Sequence, residues 1–335
     1  MRRTLLGFVV LMVGVLAGCG GGDVEEPGEG AIKVGAIFDL TGPTSDVGTL
    51  FSEGIRDYVA WANQEGGIDG RQVDLVYQDY QYKVDLAEQL YSQFVQEGVV
   101  AFMGWGTGDT EALHGRIAED EIPFASASFS HSLGDALEAP YNFLLGTSYS
   151  DQLFILLDWI KENHESADAP SVALMHHPSP FGMSPYAQGG KDYADSLGIE
   201  IATHEMPRGS TDLTAELTNI RESGAGYVVF QNTSTPVALA LRNANSMGFE
   251  PKFFCLNWCT NGVLNELAGD AAEGVYGSVL FSPPGEGVVG LDAADAFLKA
   301  KGSSMEEKGL LYGQGWWMMA IFIEGIRRTV AAGEE

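Results

Sequence analysis

The fold is decided by the stretch GVVAFMGWGTGDTEALHGRIAEDEIPFASAS, residues 98–128. It opens on an unbroken apolar run, Val99–Met103, of the kind that fills a strand buried on both faces. Three glycines at alternate positions follow, Gly104, Gly106 and Gly108, and then a helix-like segment over Thr110–Asp120. Pro123 begins a second short strand, IPFASA. Strand, glycine-rich turn, helix, strand is one βαβ unit, and it sets its two strands parallel.

The same alternation extends in both directions. Upstream, IKVGAIF (Ile32–Phe38) is a strand-like run. Phe51–Gln64 places Ile55, Tyr58, Val59 and Ala62 on one helical face, and Gly66 and Gly67 stop it. VDLVYQD alternates as a strand does, and Leu86, Leu90 and Phe94 stripe the next helix. The pattern restarts after about residue 148. Leu153–Asn163 reads as a helix, SVALMHH as a strand, and Ser184 with Pro185 as the cap and first residue of a helix running to about Leu197. IEIATHE, YVVFQ and KFFCLN are further strands. Asp212–Glu222 is a helix between them, and Thr235 with Pro236 opens another that ends near Gly248. EGVYGSVLF (Glu273–Phe281) then leads the chain back to the first sheet. The fold class is therefore α/β, with two doubly wound parallel-sheet lobes joined by a hinge. The first lobe takes residues 31–147 and 277–335, the second 148–276.

The N-terminus, MRRTLLGFVVLMVGVLAGCGGG, has the positive start, short apolar core and small residues of an export signal over residues 1–18. LAGC (Leu16–Cys19) resembles a bacterial lipobox, which implies lipidation at Cys19; a plain signal peptide or an uncleaved anchor is the alternative. Residues 19–30 then form a flexible acidic tether. A formal net charge of -28 repels nucleic acid and anionic lipid heads. Trp316–Ile323, WWMMAIFI, is the most apolar later run and has the length of a buried helix rather than of a membrane span. Cys255 and Cys259 fit a disulfide in an oxidising compartment or two buried thiols equally well.

In doubly wound sheets, ligands bind beyond the carboxyl ends of the strands. The loops that matter are therefore Asp39–Gly48, Gly104–Asp109 and Ala125–Ser132 in the first lobe. In the second they are His176–Gly182, Gln231–Thr235 and Asn257–Gly262.

Several segments carry a resemblance. IKVGAIFDLTGPTSDVG, NQEGGIDGRQVDLVYQDYQ, the 98–128 stretch, LRNANSMGFEPKFF and LAGDAAEGVYG occur in that order between Ile32 and about Arg328. Together they resemble the type I periplasmic solute-binding proteins, in particular the branched-chain (leucine/isoleucine/valine) amino-acid-binding family of ABC importers. The resemblance implies two lobes closing on a small-molecule carboxylate ligand, delivery to ABC permease subunits, a monomer, no enzyme activity and no cofactor. Such proteins return once more to the second lobe. This chain stops at Glu335, which implies that the C-terminal return segment is lacking.

The resemblance also places the ligand carboxylate in the first lobe, on backbone amides and hydroxyls of the loops matching Gly104–Asp109 and Ala125–Ser128. The residues suit that task. A helix N-terminus offers free N–H groups and the positive end of the macrodipole, and glycine lets an anion approach the backbone. Thr107, Gly108, Ala127 and Ser128 are the candidate donors, with Ser126 next; Asp109 reads as a helix cap. An α-ammonium normally needs an acid in the second lobe, yet Gln231–Leu241 contains no Asp or Glu. Asn232 and Thr233 can hydrogen bond there but supply no counter-charge. Asp39, Asp46 and Asp151 are other acids within reach of the loops. Trp105, Phe129, Tyr149, Phe181 and Trp258 form either an apolar pocket or ordinary packing at the loop bases.

Other functions fit less well. The glycines give G-x-G-x-G rather than the G-x-G-x-x-G of a dinucleotide site, and they follow the third strand, not the first. No G-x-S-x-G elbow or H-E-x-x-H occurs. His176 and His177 are neighbours on a strand and point to opposite faces, so they would not share a metal. A ligand-sensing receptor of the same fold, or a urea or short-chain amide binder, is the alternative function.

Overall fold

The computed structural model describes residues 30–285, 287–288 and 290–333. Cys19, the export signal and most of the tether lie outside them.

The first lobe is built from β1 (Ile32–Phe38), α1 (Ser45–Gln64), β2 (Val73–Asp79), α2 (Val84–Gln96), β3 (Ala101–Gly104), α3 (Thr107–Asp120), β4 (Phe124–Ser126) and β5 (Asn142–Phe143). Its five strands lie in the order β2-β1-β3-β4-β5, all parallel. β1 and β3 are apolar on both faces because helices cover both.

The second lobe runs through α4 (Tyr149–Asn163), β6 (Ser171–His176), α5 (Pro180–Pro185), α6 (Lys191–Leu197), β7 (Glu200–Glu205), α7 (Thr214–Ser223), β8 (Tyr227–Gln231), α8 (Ser234–Ser246), β9 (Lys252–Cys255), α9 (Gly262–Ala268) and β10 (Tyr276–Gly277). This sheet is also five-stranded and parallel, in the order β10-β9-β8-β6-β7. Among the described residues, two chain crossings join the lobes, at 144–148 and after Gly277. After the second, α10 (Leu291–Ala300) and α11 (Met305–Ala332) complete the core of the first lobe. The two doubly wound lobes are as the sequence implies.

α11 lies unusually close to α1. A methyl group on Gly54 would meet Tyr312 O, and one on Gly315 would meet Phe51 O. Glycine at both positions lets the two backbones touch and seats Trp316 against Tyr58 at 5.2 Å. Among the described residues, no helix is long and apolar enough to cross a membrane. Cys255 and Cys259 are joined as a disulfide, both fully buried at the end of β9.

Several boundaries differ from expectation: α1 and α4 start at Ser45 and Tyr149, ahead of Phe51 and Leu153. The Ser-Pro signal that opens α5 is Ser179–Pro180, a turn earlier than Ser184–Pro185. α8 is capped at Thr233, so Thr235 and Pro236 sit inside its first turn. α3 starts at Thr107 rather than Thr110, with Gly106 as its cap residue. EGVYGSVLF is not wholly a return path: Tyr276–Gly277 first adds β10 to the edge of the second sheet.

Candidate functional site

The carboxyl ends of both sheets face one cleft, and a small pocket of about 20 Å³ lies in it. That is room for roughly one water molecule, so the lobes must part for an amino-acid-sized solute to enter. The first lobe contributes Trp105, Gly106, Thr107 and Ala127, together with Thr44, Val47 and Tyr82. Phe181, Thr233 and Trp258 come from the second lobe, and Tyr149 from the start of α4 at the crossover. No acidic or basic side chain is among them. A larger hollow of about 420 Å³ beside β10 includes none of the predicted site residues.

Seven predicted residues thus line the pocket: Trp105, Thr107, Ala127, Tyr149, Phe181, Thr233 and Trp258. Four stand behind it. Gly108 faces Pro180 across the lobes. Ser126 Oγ bonds Thr110 Oγ1 and accepts from Ser128 N at 2.9 Å. Ser128 Oγ lies 2.6 Å from Thr107 Oγ1 and supports it. Asn232 turns back to accept from Thr233 N and to donate to Met206 Sδ. The Ala127 amide is also used, donating to Gly104 O. Among the candidate backbone donors, the first-turn N–H groups of α3, Thr107 and Gly108, remain without intrahelical acceptors.

The pocket walls are held by two hydrogen-bond chains. In one, Trp105 Nε1 donates to Thr44 Oγ1 at 2.8 Å, and Thr44 Oγ1 donates to the buried Asp39 at 2.7 Å. In the other, Trp258 Nε1 donates to the Tyr149 hydroxyl at 2.8 Å. The Tyr149 hydroxyl lies beside Thr107 and Ser128, and burial pushes the phenol pKa up, so it keeps its proton. Trp258 also packs 5.3 Å from Trp105, and 5.9 Å from Phe51. Thr233 Oγ1 is buried and has no protein partner. An unpartnered hydroxyl lining a pocket is a group awaiting one.

The acids named from sequence are committed elsewhere. Asp39 accepts from Gly42 N and Thr44 N, holding the β1–α1 turn. Asp151 bonds Ser148 at the start of α4. Asp46 reaches across the cleft to accept from Thr235 N at 2.7 Å, at the positive end of α8. Burial raises its pKa despite that bond. Gln188 makes a second cross-lobe contact, donating to Ser130 Oγ at 2.9 Å.

Tyr82 has no signal in the sequence. It follows β2 in a turn where Gln81 and Tyr82 both adopt the left-handed region, with φ of 57° and 56°. This swings the ring over His177, 5.6 Å away, and under the Arg208 guanidinium. Burial, helped by Arg208 and His176, holds His177 neutral with its pKa down at about 3. Thr44 and Val47 lie in a loop that the sequence does single out.

Asp109 caps α3 as expected. It accepts from Gly106 N at 3.1 Å and from the Tyr80 hydroxyl at 2.9 Å. Burial pushes its carboxyl up to about 7, against the pull of those bonds. A raised carboxyl pKa stabilises the fold most below the ordinary carboxylate range, and that stability is lost as pH rises through about 7. Asp109→Asn keeps one acceptor and removes the buried charge. Its stability relative to wild type is expected to improve between pH 5 and pH 8, by on the order of 3 kcal/mol at the upper end. Thermal unfolding of both proteins across that range checks this; a pH-independent difference would show that the carboxyl is not the source.

Fold and site together define a two-lobed α/β protein with a pocket between its lobes. The chain belongs to the periplasmic binding protein family, which it matches over residues 31–334. Membership places it among binding proteins rather than enzymes. It is 31% identical to a branched-chain amino acid ABC transporter protein from Thermus thermophilus with bound valine, with a TM-score of 0.85 over 90% of this chain and 79% of that one. An ABC transporter substrate-binding protein from Aeropyrum pernix is 28% identical, with a TM-score of 0.78 over 89% and 79%. The leucine-, isoleucine-, valine-, threonine- and alanine-binding protein of Pseudomonas aeruginosa is 24% identical across 74% of this chain, a match that spans 66% of the relative's own length.

Proposed function

We propose that this chain is the exported, lipid-anchored substrate-binding component of an ABC importer. It captures a small carboxylate solute between its lobes and presents it, as a monomer, to a membrane permease. Cys19 carries the lipid, and the tether keeps the lobes near the membrane. The names of the relatives support the transport role. The observation that carries the carboxylate is the start of α3. There the free N–H groups of the first turn, the Thr107 hydroxyl and the Tyr149 hydroxyl meet at one end of the pocket. A helix N-terminus with hydroxyl donors around it favours an anion. At the opposite wall, the unpartnered Thr233 hydroxyl supplies a hydrogen bond that forms when the second lobe closes on the solute.

Thr107→Ala tests this. It removes one hydroxyl donor to the carboxylate and unseats Ser128, while leaving the helix cap in place. Affinity for the solute is expected to fall about tenfold, the worth of one hydrogen bond to a charged group. Calorimetric titration reads it, and unchanged affinity would reduce Thr107 to a helix-start residue.

A further inference from the structure

We infer that the solute is a carboxylate with an apolar body and no ammonium group, in contrast to an α-amino acid. The inference rests on the carboxylate reading above and narrows it.

The polar groups on the pocket wall are neutral, and all but the Thr233 hydroxyl already have a partner. Thr44 Oγ1 both accepts, from Trp105, and donates, to Asp39. The Tyr149 oxygen accepts from Trp258, which leaves its proton to give. The two indole N–H groups are spent on these oxygens, and Thr107 Oγ1 is paired with Ser128. An α-ammonium has three N–H donors and a full charge. Held here, it would find only neutral hydroxyl oxygens to accept its protons and no carboxylate on the wall. A buried charge without a partner costs several kcal/mol.

The nearby acids do not fill the gap. Asp39 is enclosed by its own turn, with Gly42 N, Thr44 N and Thr44 Oγ1 on its two oxygens. Asp109 lies behind Gly106, held by Gly106 N and Tyr80. Asp46 stands beside the Thr233 side chain, behind the pocket wall, but its oxygens are taken up by Thr235 N and its own neighbour, Val47 N. On the side of the second lobe, where an ammonium would sit once the carboxylate is on α3, the wall is Phe181, Trp258 and the single neutral hydroxyl of Thr233. Aromatic faces and one hydroxyl suit an uncharged hydrocarbon body.

Matched pairs separate the amine from every other property of the solute. Phenylalanine is titrated against 3-phenylpropanoate, and leucine against 4-methylpentanoate, on the full chain freed of co-purified solute. The expected result is that at least one deaminated twin binds ten times or more tighter than its amino acid. An amino acid binding as tightly as its twin, or tighter, would overturn the inference and leave the carboxylate reading standing. If no member of either pair binds while a short-chain amide does, both fail together. N,N,N-trimethylated phenylalanine is a third arm. It keeps the positive charge without N–H donors, so binding as weak as that of phenylalanine is expected, and binding as tight as that of 3-phenylpropanoate would overturn the inference.

Discussion

Gly106→Ala is expected to lower affinity for 3-phenylpropanoate by a hundredfold or more, about 2.7 kcal/mol. The backbone at Gly106 is ordinary, with φ -91° and ψ 164°, so the requirement is for space and not for conformation. A methyl group there would lie 2.7 Å from the Tyr80 hydroxyl, 2.8 Å from the Tyr82 ring edge, and closer still to Asp109 Oδ1. None of the three has room to retreat. Tyr80 is fully buried, and Asp109 is the acceptor that fixes the cap of α3. Relief requires the turn to lift or Asp109 to swing out, and either moves the Thr107 N–H and hydroxyl away from the carboxylate. Overpacking of this kind also costs roughly 1–3 kcal/mol of stability, so thermal unfolding must be measured alongside binding. Gly108→Ala is the control two residues on. Its new methyl would sit 3.6 Å from Pro180 Cγ, an ordinary contact. Binding within threefold of wild type is expected there. If Gly106→Ala binds as the wild type does, this turn does not hold the solute.

The contrast between these two glycines marks how far the sequence could be read. The apolar runs and their alternation with helical stripes are consequences of burial on both faces, so both sheets and their parallel order were legible. The loops at the carboxyl ends followed from that topology, and Trp105, Thr107 and Trp258 followed from the loops. The spacing does not say which side chain of a loop faces the cleft. Ser126, Ser128 and Asn232 are polar, near a strand end and one layer back, because each satisfies a neighbour's backbone or hydroxyl. Tyr82 was invisible because its position depends on two left-handed residues with no glycine to announce them. The start of α5 was misplaced because two Ser-Pro pairs carry the same local signal, and only packing against the first lobe at Gly108 selects Pro180. β5 has two residues, one of them exposed, too few for any periodicity.

Trp258→Ala is expected to cost more still, with affinity down by several hundredfold and little loss of thermal stability in the solute-free protein. Trp258 belongs to the second lobe, in the loop after β9, yet its neighbours are Phe51, Trp105 and Phe129 of the first lobe. It is 4% exposed. Those contacts exist only when the lobes are together. The free energy of burying a large aromatic, about 3–5 kcal/mol when it is truncated to alanine, is therefore spent on closure rather than on folding either lobe. Because the solute binds the closed form, a loss of closure free energy appears in full as a loss of apparent affinity. Trp258→Phe separates the two things the residue does. It keeps an aromatic face against Trp105 and Phe51, and it removes the N–H that orients the Tyr149 hydroxyl. About a tenfold loss is expected for that variant, the worth of a hydrogen bond left unmade in a buried site. Intrinsic fluorescence gives a second readout, since Trp258 leaves water for an aromatic cluster as the lobes close. The solute-induced change in emission should shrink in Trp258→Phe while binding persists. A Trp258→Ala protein that binds normally but melts early would place the residue in the fold and not in the closing of the cleft.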